Sequence, residues 1–149
     1  MIHFLTIITI VSLGLLIGTE FAVSVFVNPV LWKLDNSAQA AAIRMFARKL
    51  GTAMPFWYAG SLVLLASAWF LGHHEAHPWL LLSANLIWVA VIVLTLLFLV
   101  PINNRMAQLD PGSFAVESRR EHHKWDAMHR ARVAALTVAF VCFLAASVR

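Results

Sequence analysis

The chain has 149 residues, 61% of them hydrophobic and only 12% charged, with a formal net charge of +4. A soluble domain carries about 25% charged residues, so composition argues against an ordinary soluble enzyme, and length leaves no room for a second domain. The lone Cys142 cannot form an intramolecular disulfide, and the basic residues lack the interleaved aromatics of a nucleic-acid surface, so no nucleic-acid partner is expected.

Charge is missing from four stretches. Residues 4–31, 54–71, 79–100 and 133–148 hold a single charged side chain, Glu20. A bilayer core takes about 20 apolar residues per crossing helix. The expected fold is therefore all-α: a four-helix transmembrane bundle running up and down, one integral membrane domain over residues 1–149. Met1-Ile2-His3 offers no basic run and no small-residue cleavage site follows, which reads as a retained first helix.

The first span is expected to end at Asn28-Pro29, since a proline disfavours helix at the residue before it. Its Gly14 and Gly18 have the spacing that lets helices approach closely, inside the bundle or in a homo-oligomer. Asp35-Asn36-Ser37 supplies capping residues for an amphipathic helix over 38–50, read as a short cytoplasmic element on the headgroup layer. Gly51 is expected to end it, with Pro55 in the first turn of the second span. That span closes at Gly72, before the turn His73-His74-Glu75-Ala76-His77-Pro78. Trp69 and Trp79 mark one membrane interface, Trp32 and Trp57 the other. The third span is expected to end at Pro101-Ile102-Asn103-Asn104, and Asp110-Pro111-Gly112-Ser113 is turn chemistry. From Phe114 nothing breaks a helix, so a cytoplasmic extension should run straight into the fourth span. No repeat is visible.

Ten of the eleven Lys and Arg residues fall in 32–53 and 101–132, and only Arg149 on the other side. By the positive-inside rule the expected location is the inner (plasma) membrane, multi-pass, with both termini outside and the basic loops cytoplasmic.

Ionisable groups inside a span are costly and mark functional candidates. Glu20, Ser24 and Asn28 recur at intervals of four and line one helix face over about 12 Å. His122, Trp125, His129 and Arg132 share a face of the fourth helix, continued by Leu136 and Phe140. Arg130 and Lys124 read as snorkelling residues. Asn103 and Asn104 close the third span at the same level. Topology thus lets Glu20, Asn28, Asn103, Asn104, Trp125, His129 and Arg132 converge as a pocket with a base, a cation and amide donors in an apolar shell. The alternative is structural, with Glu20 as a buried carboxyl bonding between helices. The outer His73, His74, Glu75 and His77, joined by His3, suggest a metal but sit in a short loop, and no metal is expected. The spans offer no facing histidine pair for a b-type haem.

Asn28-Pro29, Pro101-Ile102-Asn103-Asn104 and the run Trp125 to Arg132, of pattern W-x-x-x-H-x-x-R, resemble the anthrone oxygenase-like family of small four-helix membrane proteins. The resemblance covers nearly the whole chain. It implies oxygenation without a cofactor: a base removes the acidic methylene proton of a polycyclic phenolic ketone, and the resulting carbanion reacts with O₂. On that reading His129 or Glu20 is the base, Arg132 and Asn104 stabilise the enolate oxygen, and Trp125 and Phe21 flank the rings. The expected function is a membrane oxidoreductase acting on a lipophilic aromatic or quinol-like molecule. The alternative is a non-enzymatic accessory or assembly subunit whose polar stripe stabilises helix packing.

Overall fold

The structure, a computed structural model, describes residues 2–72, 77–109 and 116–147. The elements are α1 (Ile2–Ala22), a π-helical turn (Val23–Val27), α2 (Asn28–Leu31), α3 (Asn36–Gly72), α4 (Pro78–Leu94), a second π turn (Thr95–Leu99), α5 (Val100–Met106) and α6 (Val116–Ser147). Four helical stretches, His3–Leu31, Asn36–Leu71, Pro78–Met106 and Ser118–Ser147, are long and apolar enough to cross a membrane. That is the organisation of a multi-pass membrane protein. The Asp110-Pro111-Gly112-Ser113 turn and the His73, His74 and Glu75 cluster lie outside the described residues. His77 is exposed and meets Trp79 edge-on.

The prolines act differently from expectation. Neither Pro29 nor Pro101 ends its helix; each follows a five-residue π turn and sits at the start of a new helical segment. Proline lacks an N–H and its ring collides with the carbonyl four residues back. A π turn shifts the hydrogen-bond register and absorbs that mismatch, so the helix continues. The device occurs twice, at Phe26-Val27-Asn28-Pro29-Val30 and Phe98-Leu99-Val100-Pro101-Ile102, an echo between the first and third spans that is visible once the breaks are seen.

Nor does Gly51 end a helix. α3 runs unbroken through Gly51 and Pro55, so residues 38–50 are continuous with the second span and do not form a separate helix. Ile43 and Ala47 pack against Leu31, Ile102 and Met106, Ala40 is buried, and Met45 and Phe46 face out. Asp35 Oδ1 caps α3 by accepting from the Ser37 and Ala38 amides at 3.0 Å each, and these bonds hold its carboxyl below its usual pKa of 3.8. α6 is also continuous, in keeping with the expected extension of the fourth span.

Two apolar clusters form. The larger holds Leu13, Leu16, Leu65, Trp88, Leu136 and Phe143; the smaller lies at the basic end, around Leu31, Ile43 and Ile102. Trp57, expected at an interface, is instead part-buried against the larger cluster and donates to Ser12 Oγ at 3.2 Å. A side chain on Gly14 would meet Phe140 at 3.9 Å, whereas one on Gly18 would meet nothing within 4 Å. Only the first of the two glycines faces the bundle interior.

Candidate functional site

Between the two apolar clusters, α1 and α6 bring their polar faces together. Glu20, Ser24 and Asn28 are all buried on one face, as their spacing requires. On α6, His122 and His129 are buried, Leu136 is fully enclosed and Phe140 packs on the core, so the polar face is the packed one.

Glu20 and Arg132 meet. Arg132 Nη2 lies 2.6 Å from Glu20 Oε2, with the side chains 12% and 2% exposed. A carboxylate deep in an apolar bundle is tolerable only when paired and hydrogen-bonded, and Glu20 satisfies both conditions: Tyr58 donates its hydroxyl to Oε1 at 3.1 Å. Arg132 also lies over the Tyr58 ring, its Cζ 5.6 Å from the centroid. Its Nη1 makes only a 3.5 Å contact with Thr95 Oγ1, and its Nε has no partner.

The His129 tautomer follows from its neighbours. Nε2 lies 3.1 Å from the Glu20 backbone carbonyl, which only accepts, so Nε2 carries the hydrogen. In the neutral ring Nδ1 then bears the lone pair. It accepts from Arg132 Nη2 at 2.9 Å and faces Glu20 Oε2 at 3.2 Å. A proton arriving at Nδ1 therefore finds a carboxylate oxygen beside it. Trp125 stacks on the imidazole with centroids 4.6 Å apart and planes 10° from parallel, which fixes the ring's tilt.

This cluster forms the back wall of a cavity of about 370 Å³, within the usual ~300–1,000 Å³ of small-molecule sites. Glu20, Asn103, Asn104, Trp125, His129 and Arg132 all line it, and the remaining walls are mostly apolar side chains of α3, α4 and the second π turn. Two expected members lie elsewhere. Asn28 is buried, but its Nδ2 donates to Asp126 Oδ1 at 2.6 Å, and it lines a separate pocket of about 50 Å³ with His122. Phe21 is 48% exposed and packs edge-on against Phe26; it points away from the cavity because it follows Glu20 directly and so faces about 100° round the helix.

Asn103 lines the cavity yet is engaged: its Nδ2 donates to the Ala47 carbonyl at 3.1 Å. Gly51 makes that approach feasible, since a Cβ there would lie 2.6 Å from Asn103 Nδ2. Asn104 is exposed at the basic edge of the cavity. Tyr58, Thr95 and Asp126 were absent from the sequence-derived set. Tyr58 is the chain's one tyrosine, and a phenol in an apolar span was the available signal; nothing distinguished Thr95.

A family model described as anthrone oxygenase matches residues 42–142. That segment contains Tyr58, Thr95, Asn103, Asn104, Trp125, His129 and Arg132, with Glu20 ahead of it. Neither the curated proteins nor the solved structures give a match to the chain.

Proposed function

The chain belongs to the anthrone oxygenase family, and from that premise we propose that it oxygenates a lipophilic aromatic substrate by base-assisted enolate formation. The observation that carries the reading is the meeting of Glu20, His129 and Arg132 on the wall of a mostly apolar cavity of about 370 Å³.

A polycyclic phenolic ketone with an acidic methylene suits such a space. His129 takes the methylene proton at Nδ1 as Arg132 Nη2 gives up its bond to that nitrogen, and Glu20 Oε2 at 3.2 Å stabilises the imidazolium. Negative charge moves to the ketone oxygen, where Arg132 Nη1 and the Asn104 amide supply donors. Trp125 keeps the imidazole plane in place and gives the rings an aromatic wall. The electron-rich carbon then combines with O₂. One oxygen atom becomes the new carbonyl, the other leaves as water with the two methylene hydrogens, and O₂ itself takes up the electrons. The excess of Lys and Arg at one end of the bundle supports a plasma-membrane location with that end in the cytoplasm.

The test is oxygen uptake by detergent-purified protein given anthrone and a panel of hydroquinones, wild type beside His129→Ala, with melting temperature recorded for both. Loss of the base is expected to lower uptake by about 10²–10⁴-fold. Wild-type uptake no faster than spontaneous oxidation across the panel would reject the reading. A variant that melts far lower yet keeps its rate would assign His129 to helix packing.

A further inference from the structure

Glu20, His129 and Arg132 reach the cavity from α1 and α6, whereas its opposite wall is a seam between α3 and the third span. That seam is tied at two levels. Towards the larger core cluster, Trp88 Nε1 donates to the Tyr58 carbonyl at 3.2 Å, and beyond it Asn85 Nδ2 donates to the Leu65 carbonyl at 3.1 Å. At the basic end Asn103 bridges to the Ala47 carbonyl and presses on Gly51. Ala47 and Tyr58 are about 16 Å apart along α3. Between them the cavity itself separates the helices, with Pro55 and Ala59 on one lip and Thr95 and Leu96 on the other.

Three of those four lip residues, Pro55, Ala59 and Leu96, are both cavity-lining and exposed, Leu96 at 58%. They lie within stretches apolar enough to sit in a membrane. Their exposed neighbours Phe56, Val63, Leu97 and Phe98 are apolar as well. A gap opening onto such a surface opens onto acyl chains. Both lips also interrupt the α-helical hydrogen-bond ladder. Pro55 deprives the Gly51 carbonyl of its intrahelical donor, and the facing lip is the Thr95–Leu99 π turn, a geometry often found at functional sites.

We propose that this gap is a lateral port through which a membrane-dissolved polycyclic phenol passes from the bilayer to His129 and Arg132 without crossing water. The identity of the passenger rests on the oxygenase reading; the port rests on the geometry of the seam. Ala59 and Leu96 then act as the size filter, because they are the side chains that a flat ring system must slide between.

The test uses the full chain carrying Cys142→Ala, which removes its one cysteine, reconstituted in phosphatidylcholine nanodiscs. Ala59→Cys, Leu96→Cys and, as a control on the exposed face of α6 away from the cavity, Val141→Cys are each modified with pyrene maleimide. Two rates are read: association of 1,8-dihydroxyanthraquinone, followed by tryptophan quenching, and oxygen uptake with anthrone. Modification at either lip is expected to slow association about tenfold, with the Val141 label changing it less than about twofold. Equal rates for all three labelled proteins would overturn the port. So would a slowing confined to Asn104→Trp, which obstructs the aqueous edge instead. Slowed association in a protein that consumes no oxygen would leave the port standing and reject the oxygenase.

Discussion

Two polar clusters join the first span to α6, and they use similar residues to opposite ends. Nearer the basic end, Asp126 takes Asn28 on one oxygen at 2.6 Å and Arg130 on the other at 2.9 Å. About 12 Å deeper along the first span, Glu20 takes Tyr58 on one oxygen and Arg132 on the other. Both carboxylates are thus doubly engaged. The difference lies in what their partners have left. Arg130 is 58% exposed and spends its charge on the surface, while Arg132 keeps an unpartnered Nε beside a cavity of about 370 Å³. A buried ion pair becomes a candidate site when substrate-sized space adjoins it; the shallower pair has only a pocket of about 50 Å³ beside it and acts as a strut.

That contrast can be broken most sharply at the deeper pair. Glu20→Gln leaves Arg132 buried and uncompensated, and is expected to destabilise the protein by about 3–5 kcal/mol, read as thermal unfolding in detergent. Adding Arg132→Met to the same chain should recover most of that loss while abolishing uptake; failure to recover would mean that the pair is not the source of the effect. At the shallower cluster, Asn28→Ala removes a buried donor from Asp126. It is expected to cost about 1–3 kcal/mol and to leave oxygen uptake within about twofold. A large loss of rate there would show that the two clusters work as one. Tyr58→Phe removes a single donor to Glu20, with an expected cost near the lower end of about 1.5–3 kcal/mol for bonds to charged groups.

The smallest effect belongs to the Asp35 cap, which involves neither cluster. Its carboxyl sits below 3.8 in the folded protein, so its contribution is complete above that pH and is lost as pH falls through the lowered folded value. Asp35→Ala should speed amide exchange at Ser37 and Ala38 at neutral pH and flatten the acid dependence of that exchange. No change at either amide would show that the first turn of α3 holds without its cap.

Parts of the candidate site were legible in the sequence for a definite reason. Glu20, His129 and Arg132 stood out because a charge within or next to an apolar span costs free energy unless something compensates it, and because helical spacing assigns faces without knowledge of neighbours. Phe21 was misplaced because adjacency in sequence is not adjacency on a helix face. Asn28 shared the face of Glu20, but only the packed structure shows Asp126 standing opposite to claim its amide. Gly51 and Pro55 were read as punctuation from local propensity, whereas packing carries α3 straight through both. Their positions matter through contact instead, Gly51 by admitting Asn103 and Pro55 by forming a lip of the cavity.

What the sequence alone determined is the number of spans, their approximate extent, the segregation of basic residues to one end and the polar faces of the first and last helices. These follow from run length, charge and a period of 3.6 residues, all local quantities set against the thickness of a bilayer. Only the tertiary structure decided that two prolines would be absorbed by π turns, that Glu20 would reach Arg132 and His129, and that a cavity would open between α3 and the third span beyond the Gly51–Asn103 contact. Each of those depends on how four helices approach one another. In a bilayer that approach is governed by close packing and by the few polar groups each helix must satisfy, a property of pairs of helices that no single stretch of sequence contains.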